Sequence, residues 1–150
     1  MSDRKDKDTH TNLSQLIVRA FYWLDEGLQG NLQKRGGPEI THSQSMIMML
    51  IVEGIRRPSA IAERLGVTRQ AVHQSLREMI DVGIVELVPD PRDGRAKVAR
   101  LSRKGAPIHR KARKILEQLE AELSDRIGKR QVASLRASLE RDWGDPAIFD

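Results

Sequence analysis

Five polar side chains between residues 69 and 77 have the types and the spacing that suit contact with the edges of DNA bases. They lie at offsets of 0, 1, 4, 5 and 8, which is one face of a predicted helix: Arg69, Gln70, His73, Gln74 and Arg77. Arginine forms paired hydrogen bonds with guanine, and glutamine forms them with adenine. The alternative is an ordinary solvated face, but such a face would mix in more glutamate and lysine, and Glu78 lies off this stripe.

The elements that must position this face have the spacing of a helix-turn-helix. Residues 58–66 predict a short helix with Pro58 in its first turn, and Thr68 predicts the N-cap of a longer helix that ends at Gly83. A small residue at Ala62 and a turn at Gly66 would let the two helices cross closely. The inward side of the longer helix is apolar: Val72, Leu76, Met79 and Ile80.

A hairpin is predicted directly after this helix pair. Two strand-like runs, IVELV at 84–88 and AKVAR at 96–100, flank the turn sequence PDPRDGR. The tip is predicted to be too polar to pack, so it would expose Arg92 and Arg95, and arginine suits the negative potential of a narrow minor groove. The alternative is a simple turn with Arg–Asp pairing, and an aspartate beside an arginine can also fix the arginine's rotamer.

The stretch 58–105 resembles the MarR family of winged helix-turn-helix regulators. The GIVE opening, the DPRDGR wing and the LSRKG helix start occur in family order, and the likeness extends over about residues 13–143. It implies a mainly α fold of about six helices with a small β-hairpin wing. It also implies a homodimeric transcriptional regulator, most simply a repressor, that binds a palindromic site in double-stranded DNA. The DNA-binding residues that follow are Thr68, Arg69, Gln70, His73, Gln74, Arg77, Arg92 and Arg95.

The remaining chain predicts helices at both ends of this DNA-binding part. Apolar residues recur at helical spacing from Leu13 to Leu28 and again from Ile108 to Leu139, with no obvious internal partner. In the family these ends interleave to form the dimer. The predicted organisation is an arm at 1–12, one domain at 13–143 and a tail at 144–150. Within the domain, the winged helix-turn-helix covers about 41–102 and the dimerisation helices about 13–35 and 103–143.

Composition and charge narrow the function classes further. The chain has 150 residues, enough for one compact domain, and residues 56–114 carry a net charge of +9 between flanks that are slightly negative. It has no cysteine, which excludes disulfides and the thiol-based peroxide sensing of some family members. The four histidines lack metal-ligand spacing, and no nucleophile or phosphate-loop motif is present, so we expect no enzyme, metal or cofactor. No apolar run could span a membrane, which predicts a cytoplasmic protein.

A small aromatic or anionic effector is the last expectation, because MarR-like proteins often release DNA when such a compound wedges between the dimer helices and the DNA-binding lobe. The predicted pocket residues are Arg19, Tyr22, Trp23, His42 and Met46. Alternatively, Arg19 pairs with Asp25 or Glu26 or faces solvent, and the aromatic side chains merely close the core. The rival function is a winged-helix module for protein interaction or non-specific DNA binding, without an effector.

Overall fold

The computed structural model describes residues 11–149, so the predicted arm lies almost wholly outside the described residues. Four helices, a two-stranded antiparallel hairpin and two more helices follow in the predicted order, which confirms the mainly α winged-helix fold. The elements are α1 (Leu13–Lys34), α2 (His42–Glu53), α3 (Pro58–Leu65), α4 (Arg69–Asp81), β1 (Val85–Asp90), β2 (Asp93–Leu101), α5 (Gly105–Ile127) and α6 (Lys129–Leu139).

Helix boundaries follow the capping residues. Thr41 and Gln44 form a capping box at the start of α2, and Gly54 ends that helix in the left-handed conformation. Asn12 forms a second capping box with Gln15, so the last residue assigned to the arm belongs to the start of α1. Gly66 makes the left-handed turn between α3 and α4, as the helix-turn-helix spacing required.

The hydrophobic core lies between α2, α3, α4 and the hairpin. Its buried members all fall within residues 47–99: Ile47, Leu50, Ile51, Ile61, Ala62, Val72, Leu76, Met79, Ile84, Val85 and Ala99. The end helices bury far less, with Leu32, Ile115 and Val132 as their buried apolar side chains. Most of the apolar surface that α1 and α6 carry is therefore left on the outside of the single chain.

The hairpin is longer than predicted and its turn is tighter. The strands run on to Asp90 and start again at Asp93, so Pro91 and Arg92 alone form the turn, and the register shifts between Pro89 and Asp90. The predicted loop is mostly strand because the Asp90 carboxylate accepts the Arg92 N–H at 2.9 Å and closes the chain early.

Ser102 caps the start of α5, although it lies three residues before Gly105, the first residue of the helix. Its hydroxyl oxygen accepts the N–H of Gly105 at 2.8 Å, and its carbonyl accepts the N–H of Ala106 at 3.0 Å. The same hydroxyl donates to the Gly83 carbonyl, which ties the start of α5 to the end of α4.

Candidate nucleic-acid interface

The outward face of α4, defined as Arg69, Gln70, His73, Gln74 and Arg77, is exposed at every position. On the opposite side of the helix, Val72, Leu76 and Met79 are each 1% exposed and pack into the core. The helical phase predicted from the sequence is therefore observed, and five polar side chains are presented together on a helix held by its apolar back.

Thr68 both caps α4 and is exposed at the start of that helix. Its hydroxyl oxygen accepts the N–H of Ala71 at 3.1 Å and so caps the helix. The residue is itself exposed, beside Arg69 and Gln70. A hydroxyl that accepts a backbone N–H still has its own proton to donate, and the positive end of the helix favours an anion there.

Glu78 is more closely tied to the outward face than the sequence spacing suggested. Its carboxylate accepts the side-chain amide of Gln74 at 2.9 Å, and the Gln74 oxygen accepts the guanidinium of Arg77 at 2.6 Å. The acid predicted to lie off the stripe thus contacts one of its central members.

The hairpin tip exposes Arg92 and Arg95, as predicted. The prediction that the tip is too polar to pack is wrong at Asp90, which is only 7% exposed. The aspartates also pair differently from the expected neighbour contacts. Asp90 accepts Nε of Arg57 at 2.6 Å, and Asp93 lies 3.9 Å from the same guanidinium.

Arg57 is a residue of this region that the sequence reasoning missed. It precedes α3, 33 residues before Asp90, and ties the hairpin tip to the helix-turn-helix. The Arg92 N–H, followed by the Arg57 guanidinium, lowers the pKa of Asp90, so the carboxylate stays charged and the pair persists at neutral pH. The signal in the sequence was the Arg56-Arg57 pair before Pro58, inside the basic segment.

The residue beside Arg57 joins the sheet through its backbone. The Arg56 carbonyl accepts the N–H of Ala99 at 2.8 Å, which places this segment against the free edge of β2. The hairpin is thereby fixed to the start of α3 by a backbone hydrogen bond and by the ion pairs of Arg57 with Asp90 and Asp93.

The five residues of the predicted effector pocket are brought together only in part. Tyr22 meets His42 edge-on with 4.6 Å between ring centroids, and His42 donates to Asp25. That contact removes Asp25 as the suggested partner of Arg19, which is exposed. The Trp23 ring instead has Arg126 at 5.9 Å, and Met46 is 38% exposed.

A cavity of about 370 Å³ opens beside these residues, between α1, α2 and α5. None of the five predicted side chains lines it. Phe21, Met49, His109 and Arg113 do. Burial, followed by the charge of Arg113, lowers the pKa of His109, so that histidine is neutral at pH 7 and Arg113 supplies the positive charge.

Within residues 11–149, no group of three histidine or carboxylate side chains is arranged to hold a metal ion. None of the helices described has the length and apolarity needed to cross a membrane.

The comparison with known families agrees with the geometry of the lobe that α2, α3, α4 and the hairpin form. The profile of the MarR family matches residues 39–96, which contain α2, α3, α4 and most of the hairpin. Reduced MarR from E. coli superposes with a TM-score of 0.69 at 26% identity, over 87% of this chain and 96% of that one. Residues 39–96 of this chain are therefore similar to the MarR family.

Two further MarR-family structures extend the match. A cysteine-to-serine mutant of E. coli MarR complexed with operator DNA has a TM-score of 0.63 at 25% identity, covering 85% of this chain and 91% of that one. A mutant of MepR from S. aureus has 0.61 at 18% identity, covering 85% and 93%, and supports the fold alone. None of the curated proteins matches the chain.

Proposed function

We propose that this chain is a sequence-specific regulator of transcription that binds double-stranded DNA as a homodimer, most simply as a repressor on a palindromic operator. The α4 helix of each protomer would enter a major groove with its outward face, and Thr68 would lie at the phosphate backbone of the DNA. Arg92 and Arg95 at the hairpin tip would enter the neighbouring minor groove. The match of residues 39–96 to the MarR family supports a regulator over an enzyme.

The observation that carries the proposal is that the outward face of α4 and the hairpin tip, both of which carry arginines, are held by the same hydrophobic core. The outward face of α4 and the hairpin tip belong to one lobe with one core, and Arg57 ties the tip to the helix pair. A rigid lobe with two separate arginine-bearing projections fits a duplex, whose two grooves are offset. A module for protein interaction alone gives no reason for this arrangement.

The homodimer is supported by apolar surface at both chain ends. On α1, Leu13, Leu16 and Val18 are between 46% and 64% exposed, and on α6, Leu135 and Leu139 are 46% and 49% exposed. Large apolar side chains exposed in groups at the surface of a single chain are typical of association sites. A symmetric dimer would place two α4 helices for two inverted half-sites.

Alanine variants of the two projections test the proposal on a duplex selected from a random library by the wild-type protein. Arg77→Ala or Gln74→Ala is expected to weaken binding to that duplex by about 1–3 kcal/mol and to relax one base position, because base contacts specify sequence. Arg95→Ala is expected to weaken selected and random duplexes alike, with a smaller salt dependence.

Fluorescence anisotropy over a salt series measures both effects, and Arg130→Ala on α6 is the control for loss of one positive charge. If Arg77→Ala, Gln74→Ala and Arg95→Ala all bind both duplexes as the wild type does, the assigned surface is wrong. If the wild type selects no sequence at all, the non-specific module is favoured instead.

Release by a small aromatic or anionic effector extends the proposal. The cavity joins the helices proposed for the dimer to the DNA-binding lobe, so a ligand there could favour one spacing of the two lobes over another. Its wall offers an aromatic ring at Phe21 and a cation at Arg113. It also offers the Gln29 Oε1 atom, which is buried without a hydrogen-bond partner among the residues that the structure describes.

Salicylate is the probe for this extension, because it carries a ring, a hydroxyl donor and a carboxylate. In a Trp143→Phe background, in which Trp23 is the remaining tryptophan, we expect a saturable fluorescence change and release of the selected duplex at millimolar ligand. Arg113→Gln should weaken the effect if the cavity binds the ligand, whereas Arg19→Gln should weaken it if the predicted pocket does. No fluorescence change and no release would contradict both sites.

A further inference from the structure

Glu78 is held by two side-chain amides from two helices. Its Oε1 accepts Nε2 of Gln74 at 2.9 Å, and its Oε2 accepts Nε2 of Gln44 at 2.8 Å. Gln44 is 7% exposed, and its own oxygen is occupied by the Thr41 N–H in the capping box of α2. The second carboxylate oxygen is therefore anchored to a buried group on a neighbouring helix, 34 residues away in the chain.

The other end of the Gln74 amide faces a cation. Its Oε1 accepts the Arg77 guanidinium at 2.6 Å. A carboxylate can only accept hydrogen bonds and a guanidinium can only donate them. If the amide turned over, its NH₂ would face the guanidinium and its oxygen would face the carboxylate, so both bonds would be lost. The two neighbours leave the Gln74 amide one orientation.

This orientation matters because glutamine binds adenine through both ends of its amide, donating to one base atom and accepting from another. With one N–H held by Glu78 and one oxygen lone pair held by Arg77, one donor and one acceptor are left, each on a fixed side. We infer that Glu78 determines base specificity by orienting the Gln74 amide, without itself contacting a base. The inference rests on the proposed function, in which α4 binds the major groove.

A simple electrostatic role for Glu78 leads to a different result. As an exposed acid on a DNA-facing helix, it would only repel phosphates, and its removal would strengthen binding to every duplex equally. As a positioning residue, it raises the ratio of selected to random binding. The two roles are separated by that ratio and not by affinity alone.

The test is Glu78→Gln, which keeps the shape of the side chain but can both donate and accept, so residue 78 no longer restricts the Gln74 amide to one orientation and only the Arg77 guanidinium still favours it. Affinities of the wild type and the variant are measured by anisotropy for the wild-type-selected duplex and for a random duplex of equal length. We expect random binding to hold or rise and the ratio to fall by about fivefold or more. A second selection with the variant should show a relaxed base at one position of each half-site.

Asp81→Asn is the matched control, since Asp81 is an exposed acid on the same helix. It should change both affinities by the same factor. An unchanged ratio in Glu78→Gln, with the wild type still selective, overturns this inference alone. A wild type without preference for any duplex overturns the proposed function and the inference with it.

Discussion

The Gly105→Ala variant is expected to lose about 3 kcal/mol of stability, at the upper end of the usual cost of overpacking a core. Gly105 is buried at the first turn of α5, against the backbone of Ile84. A Cβ atom there would overlap the Ile84 carbonyl oxygen and lie 2.8 Å from its carbon. Neither atom can rotate away, and the same carbonyl accepts the Ser102 N–H at 2.9 Å.

Thermal unfolding followed by circular dichroism measures this loss. For a chain of this length we expect the Tm to fall by about 6–12 °C, since 1 kcal/mol corresponds to roughly 2–4 °C. Gly30→Ala is the control, because an added Cβ at Gly30 in α1 meets nothing within 4 Å. That variant should be neutral or gain up to about 1 kcal/mol from higher helix propensity. A Gly105→Ala protein as stable as the wild type would contradict the close packing.

Replacing Leu135 and Leu139 together by glutamate is expected to give a monomer that loses DNA affinity by about a hundredfold or more. Both side chains are half exposed on α6 of the single chain, so the substitution leaves the core of the lobe intact. Two charges per chain on an apolar interface would oppose association. Without the dimer, the two half-sites bind independently and the gain from linking them is lost.

Sedimentation at micromolar concentration measures the first effect against a monomer mass of 17.0 kDa, and anisotropy on the selected duplex measures the second. Ala133→Glu with Ala137→Glu adds the same charge to the opposite face of the same helix, and should leave both the mass and the affinity near those of the wild type. A wild-type protein that sediments only as a 17.0 kDa species would remove the basis for this prediction and for the dimer.

The features that could be predicted from the sequence depend on neighbours within one helical turn or one hairpin. The capping box at Thr41, the left-handed stop at Gly83 and the inward phase of Val72 are of this kind, and each is present. The outward face of α4 followed directly, because a helix with one apolar side has only one other side to expose.

The features that escaped prediction depend on side chains that meet across more than 30 residues. Spacing could not pair Arg57 with Asp90 or Gln44 with Glu78. Several arginines and acids lie in the same segment, and the sequence does not show which of them meet. The cavity was missed for the same reason. Three helices line it, and no spacing within any one of them shows that Met49, His109 and Phe21 will meet.

The placement of the core has a consequence for the order of events during synthesis. The buried members of the lobe's core cluster all lie between Ile47 and Ala99, so this cluster has been made before α5, which then adds the partly buried Ile108. The ribosome adds about 5–20 residues per second, which gives the lobe a few seconds to fold before α6 is complete. The nascent chain would thus fold this lobe before α6 is complete, and the apolar face of α6, unlike that of α1, would be exposed only at the end of translation.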